Sequence, residues 1–321
     1  MKIALEPGRL RGIKATSTSH HTFAILAFDQ RNNYRQLLPP SATFEDAAAI
    51  KRDTAVALSE IASAVLLDPT YGLEAALHMS GHCGLLMALE ESGYSGDATY
   101  RRTEFDPDWS VAKIKRMGAS AVKLLIYYHP DSGPLADELD ALVVRVREQC
   151  RAEDIPFYLE PLTYSLDATV PRSSEAFARQ RPRLVRETAA RLSRLGPDIL
   201  KLEFPVDVAF DRDPRSWAEA CAAVSEASRV PWALLSAGVD FDVFEQQVRV
   251  ACQNGASGFI GGRAIWKECI TMPPAERQRF LAEVATERMR RLVAIANAEA
   301  RPWTDFYQPM AVSEGWYRHY R

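Results

Sequence analysis

The chain has 321 residues, 47% of them apolar and 25% charged, the balance of a soluble globular protein rather than a disordered or fibrous one. A net charge of −3 gives no bulk attraction for nucleic acid or an anionic membrane, so neither is an expected partner. Five scattered cysteines without a CxxC pair, no signal-peptide core and no run of 18 apolar residues argue for a reducing cytoplasm and against disulfides or a membrane span.

In chain order, eight short apolar or β-branched runs read as strands. The first four are TFAILAF (22–28), SAVLLD (63–68), GLLMALE (84–90) and SAVKLLIYY (120–128). IPFYLEP (155–161), DILKLEF (198–204), PWALLS (231–236) and SGFIGG (257–262) follow. Segments with helical spacing lie between most of them, at 41–63, 133–154, 173–196, 213–228 and 240–257. Asp213 and Asp240 stand at the starts of the last two as N-caps, and Pro182 is expected to begin or kink its helix rather than lie inside it. Only a few turns of helix fit between the second and third strands. This alternation, without a linker, predicts a single-domain (β/α)8 barrel over about 22–272, extended by a long helix and an aromatic-rich tail over 273–321. An open doubly wound sheet is the rival, but no glycine-rich dinucleotide fingerprint follows the first strand.

Strand parity then isolates four charged residues. Leu200, Leu202 and Phe204 share one face, which leaves Lys201 on the other with Ile199 and Glu203. The same alternation sets Lys123 opposite Val122, Leu124 and Ile126, Glu160 opposite Phe157 and Leu159, and Asp29 opposite Leu26 and Phe28. Taken singly, each is also what a solvated strand end or a structural ion pair would look like. Four strands making the same exception point to a site inside the barrel mouth.

Two amines and two carboxylates in one enclosed space suit Schiff-base chemistry. A free lysine titrates near ~10.4, and enclosure beside a second ammonium favours its neutral, nucleophilic form. A carboxylate such as Glu160 would move the protons of carbinolamine formation and dehydration. The last strand ends read as an anion site: Ser236 and Gly238 in LSAGVD, and Gly261, Gly262 and Arg263 in GFIGGRAIW. Gln30 and Arg31, after Asp29 in FDQRNNYRQLL, are candidates for a second anionic group, with Arg35 equally readable as a solvated basic turn. His78, His82 and Cys83 are the one metal candidate, but no third ligand follows at metal spacing, so no metal is expected.

As a set, AFDQR (27–31), LLDPTYGL (66–73), VKLLIYYHPD (122–131), FYLEPLTY (157–164), LKLEFPV (200–206), LLSAGVD (234–240) and GRAIW (262–266) resemble the class I tagatose-1,6-bisphosphate aldolases and the related sulfofructose-phosphate aldolases. The resemblance implies a metal-free and cofactor-free (β/α)8 enzyme that cleaves a ketose phosphate, or its sulfosugar analogue, to dihydroxyacetone phosphate and a three-carbon aldehyde. It implies Lys201 as the Schiff-base lysine, Glu160 as the proton relay and Lys123 as the second active-site lysine. Asp29 and Gln30 match substrate-hydroxyl contacts, and Ser236, Gly238 and Arg263 match the anion-binding end. A homo-oligomer is implied by the family and not by the residues. After AFDQR the chain departs from the pattern, with Asn32, Asn33 and Tyr34 where the distal end of the substrate is expected. A sugar-phosphate-sensing paralogue, and a different lyase or isomerase on the same barrel, stay open on the residues alone.

Overall fold

The computed structural model describes residues 2–320. Strands β2 (Phe23–Ala27), β3 (Ala64–Leu67), β4 (Gly84–Ala88), β5 (Ala121–Tyr128), β6 (Phe157–Thr163), β7 (Ile199–Leu202), β8 (Trp232–Leu235) and β9 (Gly258–Gly261) close into one parallel barrel in sequence order. Its seam joins β2 to β9, with Phe23 opposite Gly258 and Leu26 opposite Gly261. All eight expected strands are present. The barrel excludes the open-sheet alternative, because the first and last strands pair with each other.

Between them run α2 (Asn32–Arg35), α3 (Phe44–Ser59), α4 (Leu73–His78), α5 (Val111–Arg116), α6 (Pro134–Ala152), α7 (Glu175–Leu192), α8 (Pro214–Ala227) and α9 (Phe241–Gln253). Thr43 and Asp46 form a reciprocal capping box at the start of α3, and Asp213 caps α8 by accepting from Arg215 N. Asp240 occupies the N-cap position of α9, but its side chain accepts from Lys267 instead of capping. Pro182 lies inside α7, contrary to expectation. The ring removes a single N–H, while Phe177, Leu184, Val185 and Leu192 bury one face of the helix on both sides of it, and that packing keeps the helix continuous.

Alternation divides the strand residues as parity requires. Phe23, Ile25, Leu66, Leu86, Tyr158, Ile199 and Ile260 fill the lumen. Leu26, Val65, Val122, Leu124, Leu159, Leu200 and Leu202 pack outward under the helices. Burying side chains of this size contributes about 1.5–3 kcal/mol each, which makes the two apolar layers the main support of the fold.

The ends of the chain close the N-terminal end of the barrel. β1 (Ile3–Leu5) pairs in parallel with β10 (Tyr307–Pro309), and α1 (Pro7–Ala15) follows β1. Neither β1 nor α1 was anticipated from the sequence. After α10 (Arg263–Trp266), α11 (Pro274–Phe280), a π-helical turn at Leu281–Ala285 and α12 (Thr286–Glu299) make up the expected long helix. Among the described residues no helix is long and apolar enough to cross a membrane.

Candidate active site

At the C-terminal end of the strands, a cavity of about 440 Å³ is lined by Asp29, Lys123, Glu160 and Lys201. These four residues come from, or just beyond, β2, β5, β6 and β7, and all are buried. Lys123 Nζ meets Asp29 Oδ2 at 2.7 Å, Glu90 Oε1 at 2.8 Å and Glu160 Oε2 at 2.9 Å. Lys201 Nζ donates to the same Glu160 Oε2, also at 2.9 Å. Glu160 therefore sits between the two ammonium groups, bonded to both.

The electrostatics differ across the cluster. Burial works against the charge on Lys123, but Asp29, Glu160 and Glu90 together raise its pKa well above the ordinary lysine value, which favours its charged form. Burial likewise works against the Asp29 carboxylate, but Lys123, then Lys201 and Arg31, hold it well below the usual carboxylate range. Among the described residues Lys201 has a single hydrogen-bond partner, Glu160. A proton leaving Lys201 thus has an acceptor in contact, which is the arrangement amine nucleophiles need.

The expected anion-binding residues also converge. Ser236, Gly238, Gly262 and Arg263 all line the cavity, and Ser236 Oγ accepts from Gly262 N at 3.1 Å. Gly238 has φ of +81°, and a Cβ there would lie 2.8 Å from the Arg263 guanidinium carbon. The positive φ favours glycine there, while a Cβ would only push the mobile Arg263 head aside. Gly261 departs from its expected place: its missing Cβ faces Phe244 and Ile265, on the helix side of the strand. Gln30 and Arg31 line the cavity too, with Arg31 Nη1 donating to Glu90 O at 2.6 Å and Nη2 to Glu90 Oε1 at 3.3 Å. Asn32 and Asn33 reach the cavity, whereas Tyr34 does not. Its ring packs on Phe28 and its hydroxyl donates to Ala47 O, because an apolar ring gains more from the core than from the wet mouth. Arg35 points elsewhere, to the carbonyls of Pro39 and Ala42.

The histidine and cysteine candidates are not drawn together as ligands. His78 Nδ1 bonds Glu74 O, His82 is exposed, and Cys83 donates to Ala62 O. Among the described residues no group of three or more His, Cys, Asp or Glu is placed to hold a metal ion.

Residues 23–268 match the model of the DeoC/LacD family aldolases. The tagatose 1,6-diphosphate aldolase 2 of Streptococcus pyogenes serotype M3 is 32% identical, over 95% of this chain and 99% of its own length. The tagatose 1,6-diphosphate aldolase of Lactococcus lactis subsp. lactis is 34% identical, over 94% and 99%. The chain belongs to the DeoC/LacD aldolase family. Two solved structures share the fold. An archaeal fructose 1,6-bisphosphate aldolase has a TM-score of 0.59 at 21% identity, over 89% of this chain and 98% of that one. A Schiff-base-forming fructose-1,6-bisphosphate aldolase has a TM-score of 0.57 at 20% identity, with the same coverage. The protein is accordingly a lyase of the aldolase type.

Three further charged residues, Glu90, Glu203 and Arg172, line the cavity at this end of the aldolase's barrel. Glu90 is buried, pairs with Lys123 and Arg31, and accepts from Leu125 N at 2.9 Å. The alternation Leu86, Ala88, Glu90 already carried that signal. Glu203 shares the Lys201 face, roughly 6–7 Å further along the strand direction, and accepts two bonds of 2.7 Å from Thr163. Its other oxygen pairs with Arg172, which reaches the cavity from the loop between β6 and α7. No periodicity in that loop marked the arginine. The aldolase thus has two arginine–glutamate pairs at the cavity, one beside β2 and one beside β7.

Proposed function

We propose that this aldolase is a class I enzyme that cleaves a phosphorylated six-carbon ketose of the tagatose 1,6-bisphosphate type through a Schiff base on Lys201. The observation that supports it most is one carboxylate, Glu160, in contact with both Lys201 and Lys123. The tagatose-bisphosphate aldolases at 32–34% identity support the substrate class.

In this reading the Lys201 amine, its proton passed to Glu160, attacks the ketone carbon, and Glu160 returns a proton to the oxygen as the carbinolamine forms. A further proton lets that oxygen leave as water, giving the iminium. When the hydroxyl two carbons away from the iminium carbon gives its proton to a carboxylate of the cluster, the bond between its carbon and the intervening carbon breaks. Its electron pair flows into the iminium, forming an enamine and releasing a three-carbon aldehyde. Protonation of the enamine and hydrolysis of the iminium release dihydroxyacetone phosphate and restore the amine. Lys123 keeps Glu160 and Asp29 in position, and Asp29 and Gln30 receive the substrate hydroxyls. Ser236, the backbone at Gly238 and Gly262, and Arg263 hold the phosphate on the retained half. No metal or other cofactor enters these steps.

The distal end supports a second reading. Arg31 and Arg172 are each already paired with a glutamate, so the cavity offers the far substituent less net positive charge than two free arginines would. A singly charged sulfonate, as in 6-deoxy-6-sulfofructose 1-phosphate, suits that environment as well as a phosphate does. The test is borohydride reduction in the presence of dihydroxyacetone phosphate, followed by peptide mass spectrometry. An adduct on Lys201 is expected. Activity that survives this treatment and vanishes with a chelator would overturn the Schiff-base reading. Parallel cleavage assays with tagatose 1,6-bisphosphate, fructose 1,6-bisphosphate and the sulfosugar phosphate separate the substrates.

A further inference from the structure

Asp29 lies two residues beyond the end of β2, where the strand ladder no longer fixes the backbone. The carbonyls around it must still find partners. They find them in side chains. Lys51 of α3, with a fully buried side chain, donates to Phe28 O at 2.7 Å and to Gln30 O at 2.8 Å, the carbonyls on either side of Asp29. Its third proton goes to Asp68, also fully buried, at the head of the DPTYG segment that follows β3. The second Asp68 oxygen accepts from Thr70 N at 3.0 Å and Tyr71 N at 2.9 Å, so the carboxylate is itself fixed. The rings of Phe28, Tyr34 and Tyr71 surround the ammonium at 4.8–5.9 Å. One residue before Phe28, Trp266 of α10 donates to Ala27 O at 2.9 Å while its ring stacks on Phe28.

We propose that Lys51 is a positioning residue for the reaction: clamped by Asp68, it grips the carbonyls flanking Asp29 and so sets that carboxylate against Lys123 and the Gln30 side chain against the cavity. This rests on the role given to Asp29 and Gln30 above. An ammonium is suited to the task because one group with three donors can bridge two carbonyls and a carboxylate. The clamp also gives a place to Asp68 of the DPTYG segment, which supplies no nucleophile or proton relay.

The experiment is a comparison of Lys51→Met with Lys51→Met/Asp68→Asn. The single variant strands a buried carboxylate and is expected to lower stability. The double variant removes that charge and is expected to recover the wild-type melting midpoint while its kcat for cleavage stays at least tenfold low. In the same double variant, borohydride trapping of dihydroxyacetone phosphate on Lys201 is expected to proceed within about threefold of the wild-type rate. A double variant with wild-type kcat and KM, or one whose activity loss matches its unfolded fraction, would overturn the proposal. If the double variant does not fold, Lys51→Gln, which keeps a donor for one carbonyl, is expected to give an intermediate kcat, and an unchanged kcat there also overturns it. Failure of wild-type trapping would instead count against the Schiff-base reading.

Discussion

At the N-terminal end of the barrel, Arg9 of α1 pairs with Asp198, which also accepts from Phe157 N at 2.9 Å. Tyr307 of β10 donates to the Asp198 carbonyl, the Tyr158 hydroxyl bonds Thr16, and Asp154 accepts from Arg9 N and from the Tyr320 hydroxyl. At the C-terminal end, Lys123 is as fully engaged, yet among the described residues Lys201 has one partner and the buried Gln30 Oε1 has none. Both ends bury ion pairs. At the closed end the named groups use up one another's bonding capacity; at the open end some capacity is left over and faces a cavity. Under the proposed function the same interaction serves stability at one end and chemistry at the other, and the difference lies in what remains unsatisfied.

This contrast can be broken from either side. The largest effect is expected for Lys201→Ala, which should reduce cleavage to below roughly 10⁻⁴ of wild type with the far-ultraviolet circular dichroism melt little changed. Glu160 keeps Lys123 as a partner in that variant, so no buried charge is stranded. Substantial turnover would remove Lys201 from the chemistry. At the closed end, Arg9→Met should do the reverse. Stranding the Asp198 carboxylate is expected to cost about 3 kcal/mol in urea unfolding, with KM unchanged.

A smaller effect is expected for Arg172→Gln. It should raise KM about tenfold for a ketose carrying a distal anion and leave a ketose monophosphate without that anion unaffected. Equal losses on both substrates would place the arginine's role in structure alone. Smallest is a pH effect on stability. Because the folded Asp29 pKa is depressed, its contribution is present above the unfolded value of about 4 and is lost as the pH falls further. Because the folded Lys123 pKa is raised, its contribution is present below the unfolded value near ~10.4 and is lost only as the pH rises through the higher folded value. Asp29→Asn should therefore flatten the acid limb of the urea midpoint against pH and leave its slope between pH 6 and 8 as in the wild type. An unchanged acid limb would show that Asp29 titrates normally.

Much of the barrel was legible because its signals are local. Each of the eight strands announced itself as a short apolar run, and a period of two is enough to turn Asp29, Lys123, Glu160 and Lys201 to one side. Glu90, at the end of the GLLMALE run, obeys the same parity. Other features had no local signal. β1 is three residues long, two of them exposed, and its partner lies some three hundred residues away. Arg172 sits in a loop, where residue spacing does not say which way a side chain points. Pro182 was misjudged because helix propensity is a weaker force than the burial of an amphipathic face.

The sequence alone was sufficient for the order of strands and helices, and for the face of each strand on which a charge stands, since both follow from spacing along the chain. Closure of the barrel decided the partnerships. It put Glu160 between two lysines and three carboxylates around Lys123, and brought Gly262 of the last strand end to Ala27 and Gln30 of the first. Those neighbours lie tens to hundreds of residues apart, and the free energy that selects them is the burial of two apolar layers, to which the charges at the mouth contribute little.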